Sequence, residues 1–163
     1  MRKLIPQLSS PSAMIQVGWT KLKNIPGGNI IFSSLVSKYI PYTGSISPLV
    51  LSIESGQARV LLKDKRAVRN HLNCVHAIAL ANVGEFSTGL CLISQLPEAA
   101  MAILTKIEIE YLKKARGDLV SEAIYQYQAN QQENEDHKIT ANILNTNNEI
   151  VTKVHATWRV RKK

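Results

Sequence analysis

Asn70-His71-Leu72-Asn73-Cys74-Val75-His76-Ala77-Ile78-Ala79-Leu80-Ala81-Asn82-Val83-Gly84-Glu85-Phe86-Ser87-Thr88-Gly89-Leu90-Cys91-Leu92-Ile93-Ser94 is the stretch that decides how this chain folds. From Val75 to Ile93 it is almost wholly apolar or small, broken by His76, Asn82 and Glu85. A helix that is apolar on every side is buried on every side. Ala77, Ala79, Ala81, Gly84 and Gly89 let neighbouring backbone come close. The polar segment Asn70–Cys74 leads into the helix, and chemistry is expected at its start and midway along it.

On both sides of this helix the pattern turns to strands. Before it, Leu49, Leu51 and Ile53 alternate with Val50 and Ser52, Ser55-Gly56 signals a turn, and Ala58, Val60 and Leu62 form the partner strand. After Pro97 come four strands. Ile103, Thr105, Ile107, Ile109 and Tyr111 alternate with Lys106, Glu108 and Glu110, the clearest period of two in the chain. Ala115-Arg116-Gly117-Asp118 turns into a strand over 119–129, with Tyr125 and Tyr127 on one face. An acidic connection, 131–136, leads to a strand over 138–145 that groups Ile139, Ala141 and Ile143. Asn145–Asn148 is a turn, and the last strand, 150–160, aligns Ile150, Thr152, Val154, Ala156, Trp158 and Val160. Strands joined by turns make an antiparallel sheet. Upstream, Ser12 is expected to cap a helix over 13–23. Pro26-Gly27-Gly28 breaks it, and a second helix spans 30–39, followed by an irregular link through Pro41, Gly44 and Pro48.

These elements give an α+β chain: a long central helix wrapped by about six antiparallel strands, with N-terminal helices. The 163 residues suit one domain, divided into a helical extension (1–44) and a core (45–160). The formal charge of +8 favours anionic partners, but the basic residues are dispersed and match no nucleic-acid-binding signature. Glu85 argues against a membrane span through the apolar stretch, since a carboxylate in lipid is costly. Cys74 and Cys91 lie about 25 Å apart on a helix, too far for an internal disulfide, and two lone thiols fit a reducing, cytoplasmic setting. Met1–Ser10 lacks the pattern of a signal peptide.

Asn70-x5-His76-x8-Glu85 also resembles the motif of hotdog-fold acyl-CoA thioesterases of the phenylacetate-pathway (PaaI-like) type. There the pattern is Asn-x5-His-Gly-Gly with a helical Asp nine residues after the His. The closer resemblance is to a poorly characterised bacterial branch that lacks Gly-Gly and carries Glu in place of Asp. Here Ala77-Ile78 stands where Gly-Gly would be. The resemblance implies the hotdog fold and a thioester hydrolase acting on acyl-CoA or acyl-carrier-protein substrates. The alternative is a hotdog module that binds acyl-CoA or a fatty acyl group without turning it over. In the catalytic reading Ala77 N–H is the oxyanion donor, Glu85 the base or nucleophile, Asn70 the orienting residue, and His76 opens the helix. Lys113, Lys114, Arg116 and Gly117 would hold the phosphates of coenzyme A, which enters as part of the substrate. No metal or separate cofactor is implied.

The residues also have plainer readings. His76 and Asn70 suit helix-capping and loop roles. A strand Lys or Arg could neutralise Glu85, and Cys74 is either a buried small side chain or a nucleophile beside His71 and His76. Helix geometry adds one constraint. Nine residues separate His76 from Glu85 by about 13 Å and half a turn, so one carbonyl cannot meet both within a single chain. A composite site therefore requires a two-fold homodimer, with a dimer of dimers as the larger assembly.

Overall fold

The computed structural model describes residues 10–54, 56–128 and 134–162. In chain order its elements are α1 (Pro11–Leu22), α2 (Gly28–Tyr39), the one-turn α3 (Pro41–Gly44), β1 (Leu49–Glu54), β2 (Gln57–Leu62), a 3-10 turn (Arg66–Val68), α4 (Ala77–Ile93), β3 (Ala100–Tyr111), β4 (Leu119–Ile124), β5 (Glu135–Leu144) and β6 (Ile150–Lys162). The six strands form one antiparallel sheet in the order β1-β2-β4-β5-β6-β3. It curls around α4, which touches every strand. This is the hotdog architecture.

The close approach of α4 to the sheet follows from its small residues. Gly84 faces Val154, and Gly89 faces the ring of Trp158. Ser87 and Ser121 share a hydrogen bond of 2.7 Å, which satisfies two buried hydroxyls across the helix–sheet boundary. Trp158 Nε1 donates to Thr88 Oγ1 at 3.1 Å. The predicted inward faces of β2 and β5 are correct, and that of β6 is correct from Thr152 onward: Ala58, Val60, Leu62, Ile139, Ala141, Ile143, Val154, Ala156 and Trp158 are all buried, whereas at the start of β6 Val151 is buried in place of the expected Ile150. Tyr125 and Tyr127 both lie against the His137 ring.

Besides the register shift between β5 and β6 that leaves both Val151 and Thr152 buried, two strands depart from strict alternation. A bulge between Val50 and Ser52 turns both Val50 and Ile53 inward, so Leu49, Leu51 and Ile53 do not share a face. A second register shift, between Leu104 and Lys106, splits β3. Ala102 and Leu104 pair with the inward-facing Val160 and Trp158, whereas Ile107, Ile109 and Tyr111 pair with the inward-facing Ala156, Val154 and Thr152. Ile103 and Ile107 are thus on opposite faces. A bulge leaves no mark in the period of apolar residues when both faces of the strand are apolar. The tip of the β1–β2 turn (Ser55) and most of the acidic connection (129–133) lie outside the described residues; Glu135 and Asp136 already belong to β5.

The N-terminal helices pack on the outer side of α4 and on β1. The cap of α1 is Ser10, not Ser12. Ser10 Oγ accepts from Ala13 N at 3.2 Å, Pro11 occupies the first turn, and Ser12 is buried. Proline in the first helical turn moves the start two residues upstream. Trp19 donates to the Ile53 carbonyl at 2.8 Å and packs edge-on against Phe32. Ser33 Oγ accepts from Val50 N at 2.8 Å, and Gln16 Nε2 donates to the Leu96 carbonyl at 3.0 Å. The extension is therefore tied to β1 and to the segment that follows α4.

A methyl group on Gly84 would sit 2.6 Å from Val154 Cβ. Gly84→Ala is expected to destabilise the protein by about 1–3 kcal/mol, because neither helix nor sheet has room to move apart. Urea unfolding measures it; an unchanged midpoint would show that Val154 yields without cost.

Candidate functional site

The site is assembled around the loop that precedes α4. His76 N–H donates to the Val68 carbonyl at 2.7 Å, and Val75 N–H donates to the Ala115 carbonyl at 2.8 Å. These bonds place the end of the loop between the 3-10 turn and the β3–β4 connection. Asn70 shapes the loop from inside. Its Oδ1 accepts from Leu72 N at 2.9 Å and from Cys74 N at 3.2 Å, and its N–H donates to the Cys74 carbonyl at 2.8 Å. That leaves the side-chain amide of Asn70 as the group available to a ligand. Cys74 is buried, with its thiol directed at the Leu72 carbonyl.

His76 is the N-cap of α4. Its Nδ1 accepts from Ile78 N at 3.1 Å, which assigns the proton of the neutral ring to Nε2. The next residue carries the free donor: Ala77 N–H makes no hydrogen bond among the described residues. It stands at the positive end of a 17-residue helix with no acidic side chain in its first turn. Tyr111 O–H donates to the Ala77 carbonyl at 3.1 Å and fixes that peptide to the end of β3. Ile78, beside it, is 54% exposed.

The predicted basic turn does lie against this loop. Arg116 Nε approaches the Asn73 carbonyl at 3.4 Å. The four residues differ in what they can still offer. Lys113 is paired with Glu149 at 2.6 Å. Gly117, at φ +73°, donates its N–H to Asp64 at 2.8 Å, so its role is to tie two loops together. Asp64 is paired with Arg69 at 2.6 Å, and that guanidinium holds its carboxyl below the ordinary range. Lys114 and Arg116 remain exposed, with no acidic partner among the described residues.

Glu85 lies just over two turns into α4 and is half-buried. Its carboxylate has no hydrogen bond or ion pair among the described residues, and burial pushes its pKa up. No strand lysine or arginine within the described residues neutralises it. One turn earlier on the same face is Asn82, 8% exposed. Its Nδ2 donates to the Tyr42 carbonyl at 3.3 Å, while its Oδ1 is buried with no partner among the described residues. Asn82 was not singled out as a site residue, although the Asn-x2-Glu spacing puts both side chains on one helix face. Burial pushes Cys91 up to about 11, so that thiol is no nucleophile near neutral pH.

The regular helix from Ala77 to Ile93 keeps Glu85 and the Ala77 donor apart, as its geometry requires. β3 is one of the sheet's two edge strands, β1 being the other, and is paired on one side only. Along it Met101, Ile103, Ile107, Tyr111 and the adjoining Leu112 are exposed, each by more than a third. The apolar edge and the exposed Ile78 flank the start of α4.

Residues 28–160 match the family described as Domain of unknown function (DUF4442). The chain belongs to the DUF4442 family. No curated protein matches it. Among solved structures, this DUF4442 chain is similar to a structural-genomics protein at 27% identity and a TM-score of 0.78, over 92% of this chain and 99% of that one. It is similar to a Pseudomonas aeruginosa protein of unknown function described as a probable thioesterase, at 17% identity and a TM-score of 0.73, over 80% of this chain and 93% of the other. A phenylacetic acid degradation-related candidate thioesterase from Ralstonia eutropha aligns at 14% identity and a TM-score of 0.64, over 73% of this chain and 89% of that one. At these identities the two thioesterase likenesses establish a shared hotdog fold for this DUF4442 member. No helix among the described residues is long and apolar enough to cross a membrane.

Burial raises the Glu85 pKa above its ordinary 4.5, so the folded state favours the protonated carboxyl. As pH rises the unfolded chain ionises first. The stability tied to this group is complete below the ordinary value and is lost as pH climbs through the raised one. Glu85→Gln is therefore expected to be more stable than wild type near neutrality, with the difference vanishing in acid. Denaturant unfolding from about pH 4 to about pH 8 checks it; parallel curves would mean that Glu85 ionises freely.

Proposed function

We propose that this protein hydrolyses acyl thioesters of coenzyme A or of an acyl carrier protein, as a homodimer with two composite sites. The observation that carries the reading is the pair of uncommitted groups on α4: the Ala77 N–H at its start and the Glu85 carboxylate midway. A thioester carbonyl bound at the helix N-terminus is polarised by that donor and by the helix dipole. Water attacks the carbonyl carbon as Glu85 takes its proton, and the oxyanion is held at Ala77. When the tetrahedral intermediate collapses, the carbon–sulfur bond breaks and Glu85 returns the proton to the departing thiolate. The products are a carboxylic acid and a free thiol. A carboxyl whose pKa is raised by burial is the better base for this step.

The two groups belong to different subunits in this reading. The one-sided β3 edge supports the dimer, because a long edge strand with exposed apolar side chains is a surface that proteins cover. Pairing two such edges about a two-fold axis runs the α4 helices antiparallel and turns Glu85 of one toward the Ala77 end of the other. Lys114 and Arg116, beside the loop, suit the phosphates of coenzyme A. Binding without turnover is the second reading, and the exposed Ile78 beside the donor is what favours it.

Each part has its own test. Against a panel of acyl-CoA substrates, wild type is expected to turn over and Glu85→Gln to lose at least about 10²-fold in kcat. Ala77→Pro removes the donor and keeps the helix, since proline suits the first helical position and His76 already has the backbone angles (φ −63°, ψ 140°) of a residue before proline. It should cost about 10²-fold or more. Mixing and re-equilibrating the two dead variants should restore about a quarter of the wild-type sites, because each mixed dimer carries one intact composite site. No recovery on mixing would sink the composite site. Wild type inert on every chain length, while still binding acyl-CoA, would leave the second reading.

Lys114→Ala with Arg116→Ala should raise KM for acyl-CoA about tenfold and leave hydrolysis of a phosphate-free N-acetylcysteamine thioester unaffected. Equal effects on both substrates would place the phosphates elsewhere.

A further inference from the structure

Glu85 is the only carboxylate on a mainly apolar slot between α4 and the N-terminal helices, whose other polar side chains are Thr43 and Tyr39. The slot encloses about 100 Å³. Met14 of α1 and Val36 and Tyr39 of α2 form one wall; Phe86, Leu90 and Ile93 of α4 form the other. Val36, Phe86 and Leu90 are buried, while Tyr39 is 61% exposed and stands at the opening.

We propose that this slot is the acyl pocket, so that the helices preceding the hotdog core select the substrate's chain length. The inference rests on the hydrolase reading for the position of the carbonyl, which must lie within reach of Glu85. The walls offer an aliphatic chain mostly apolar contact, with the hydroxyls of Thr43 and Tyr39 as the other polar groups. The carboxylate at one end favours a neutral thioester over a free fatty acid, because the acid's own carboxylate would face Glu85 as a like charge. The same repulsion assists departure of the product acid. The size sets the class. At the ~30 Å³ that a liquid water occupies, 100 Å³ takes three or four methylene-sized groups. The substrates assigned are thus short-chain acyl thioesters, butyryl to pentanoyl, rather than long-chain ones.

The test varies the slot and reads chain length in two ways. Met14→Trp fills the slot from a half-buried position, and Tyr39→Ala widens its mouth from an exposed one; thermal melts of both confirm folding. The first readout is kcat/KM for acetyl-, butyryl-, hexanoyl- and palmitoyl-CoA. The second is calorimetric affinity for S-butyl-CoA, a thioether that cannot be hydrolysed, relative to coenzyme A. Wild type should prefer butyryl. Met14→Trp should lower the butyryl-to-acetyl ratio, and the S-butyl-CoA-to-CoA affinity ratio, at least tenfold. Tyr39→Ala should move the optimum to longer chains. Hydrolysis with chain-length profiles that superimpose in all three proteins would overturn the slot and spare the hydrolase reading. No hydrolysis, with an S-butyl-CoA preference that Met14→Trp abolishes, would retain the slot and remove the hydrolase. Neither turnover nor any S-butyl-CoA preference would end both.

Discussion

The structure depends on the burial of one helix beyond its first turn. α4 has no polar face of its own to turn to water, so the chain must cover it on all sides. Six strands curl around one side and three short helices close the other. Apolar burial supplies the driving force for this arrangement, and the small residues of α4 set how closely it can be drawn in. Every polar group left on such a helix is then a question that the packing must answer. Ser87 and Thr88 are answered by Ser121 and Trp158. The Asn82 carbonyl oxygen and the Glu85 carboxylate have no partner among the described residues. Burying a polar group without a partner costs a few kcal/mol, more for one that carries charge. A fold that satisfies the neighbouring hydroxyls and leaves these two open directs attention to them.

The same helix separates the groups it displays. Its dipole and its free N–H are concentrated at Ala77, while Glu85 lies more than two turns away along the axis. An α-helix is too stiff for a fluctuation within one chain to unite them. Chemistry needing both has to borrow one from another copy, and the one-sided β3 strand offers the surface on which a second copy would align. The fold, the symmetry and the catalytic proposal therefore rest on a single helical repeat.

Much of this was legible in the sequence because periodicity reports burial. Strands β2, β5 and β6 each have one buried face, and their apolar residues recur at intervals of two. β1 and β3 are apolar on both faces, so their bulges are silent in the pattern and their inward residues were assigned out of phase. The cap of α1 was misplaced because Ser10 and Ser12 flank a proline and only geometry distinguishes them. At the site, the motif spacing located the loop and the carboxylate. It could not show that the Asn70 carbonyl oxygen is occupied by the loop itself, or that Gly117 and Lys113 are engaged by Asp64 and Glu149. The slot was invisible, since Met14, Val36 and Glu85 meet only when α1, α2 and α4 pack.

That packing gives the N-terminal helices a part in the chemistry as well as in the cover. Glu85 lacks a charged partner, so its basicity is set by how much water reaches it, and α1 and α2 are what limit that access. They are held in place by contacts remote from the carboxylate: Trp19 on the Ile53 carbonyl, Gln16 on the Leu96 carbonyl and Ser33 on the backbone of β1. Loosening any of these contacts would admit solvent and let the Glu85 carboxyl return toward its ordinary range, weakening it as a base without touching it. A segment that reads in sequence as an appendage to the sheet thus governs both the room beside the carboxylate and its affinity for a proton.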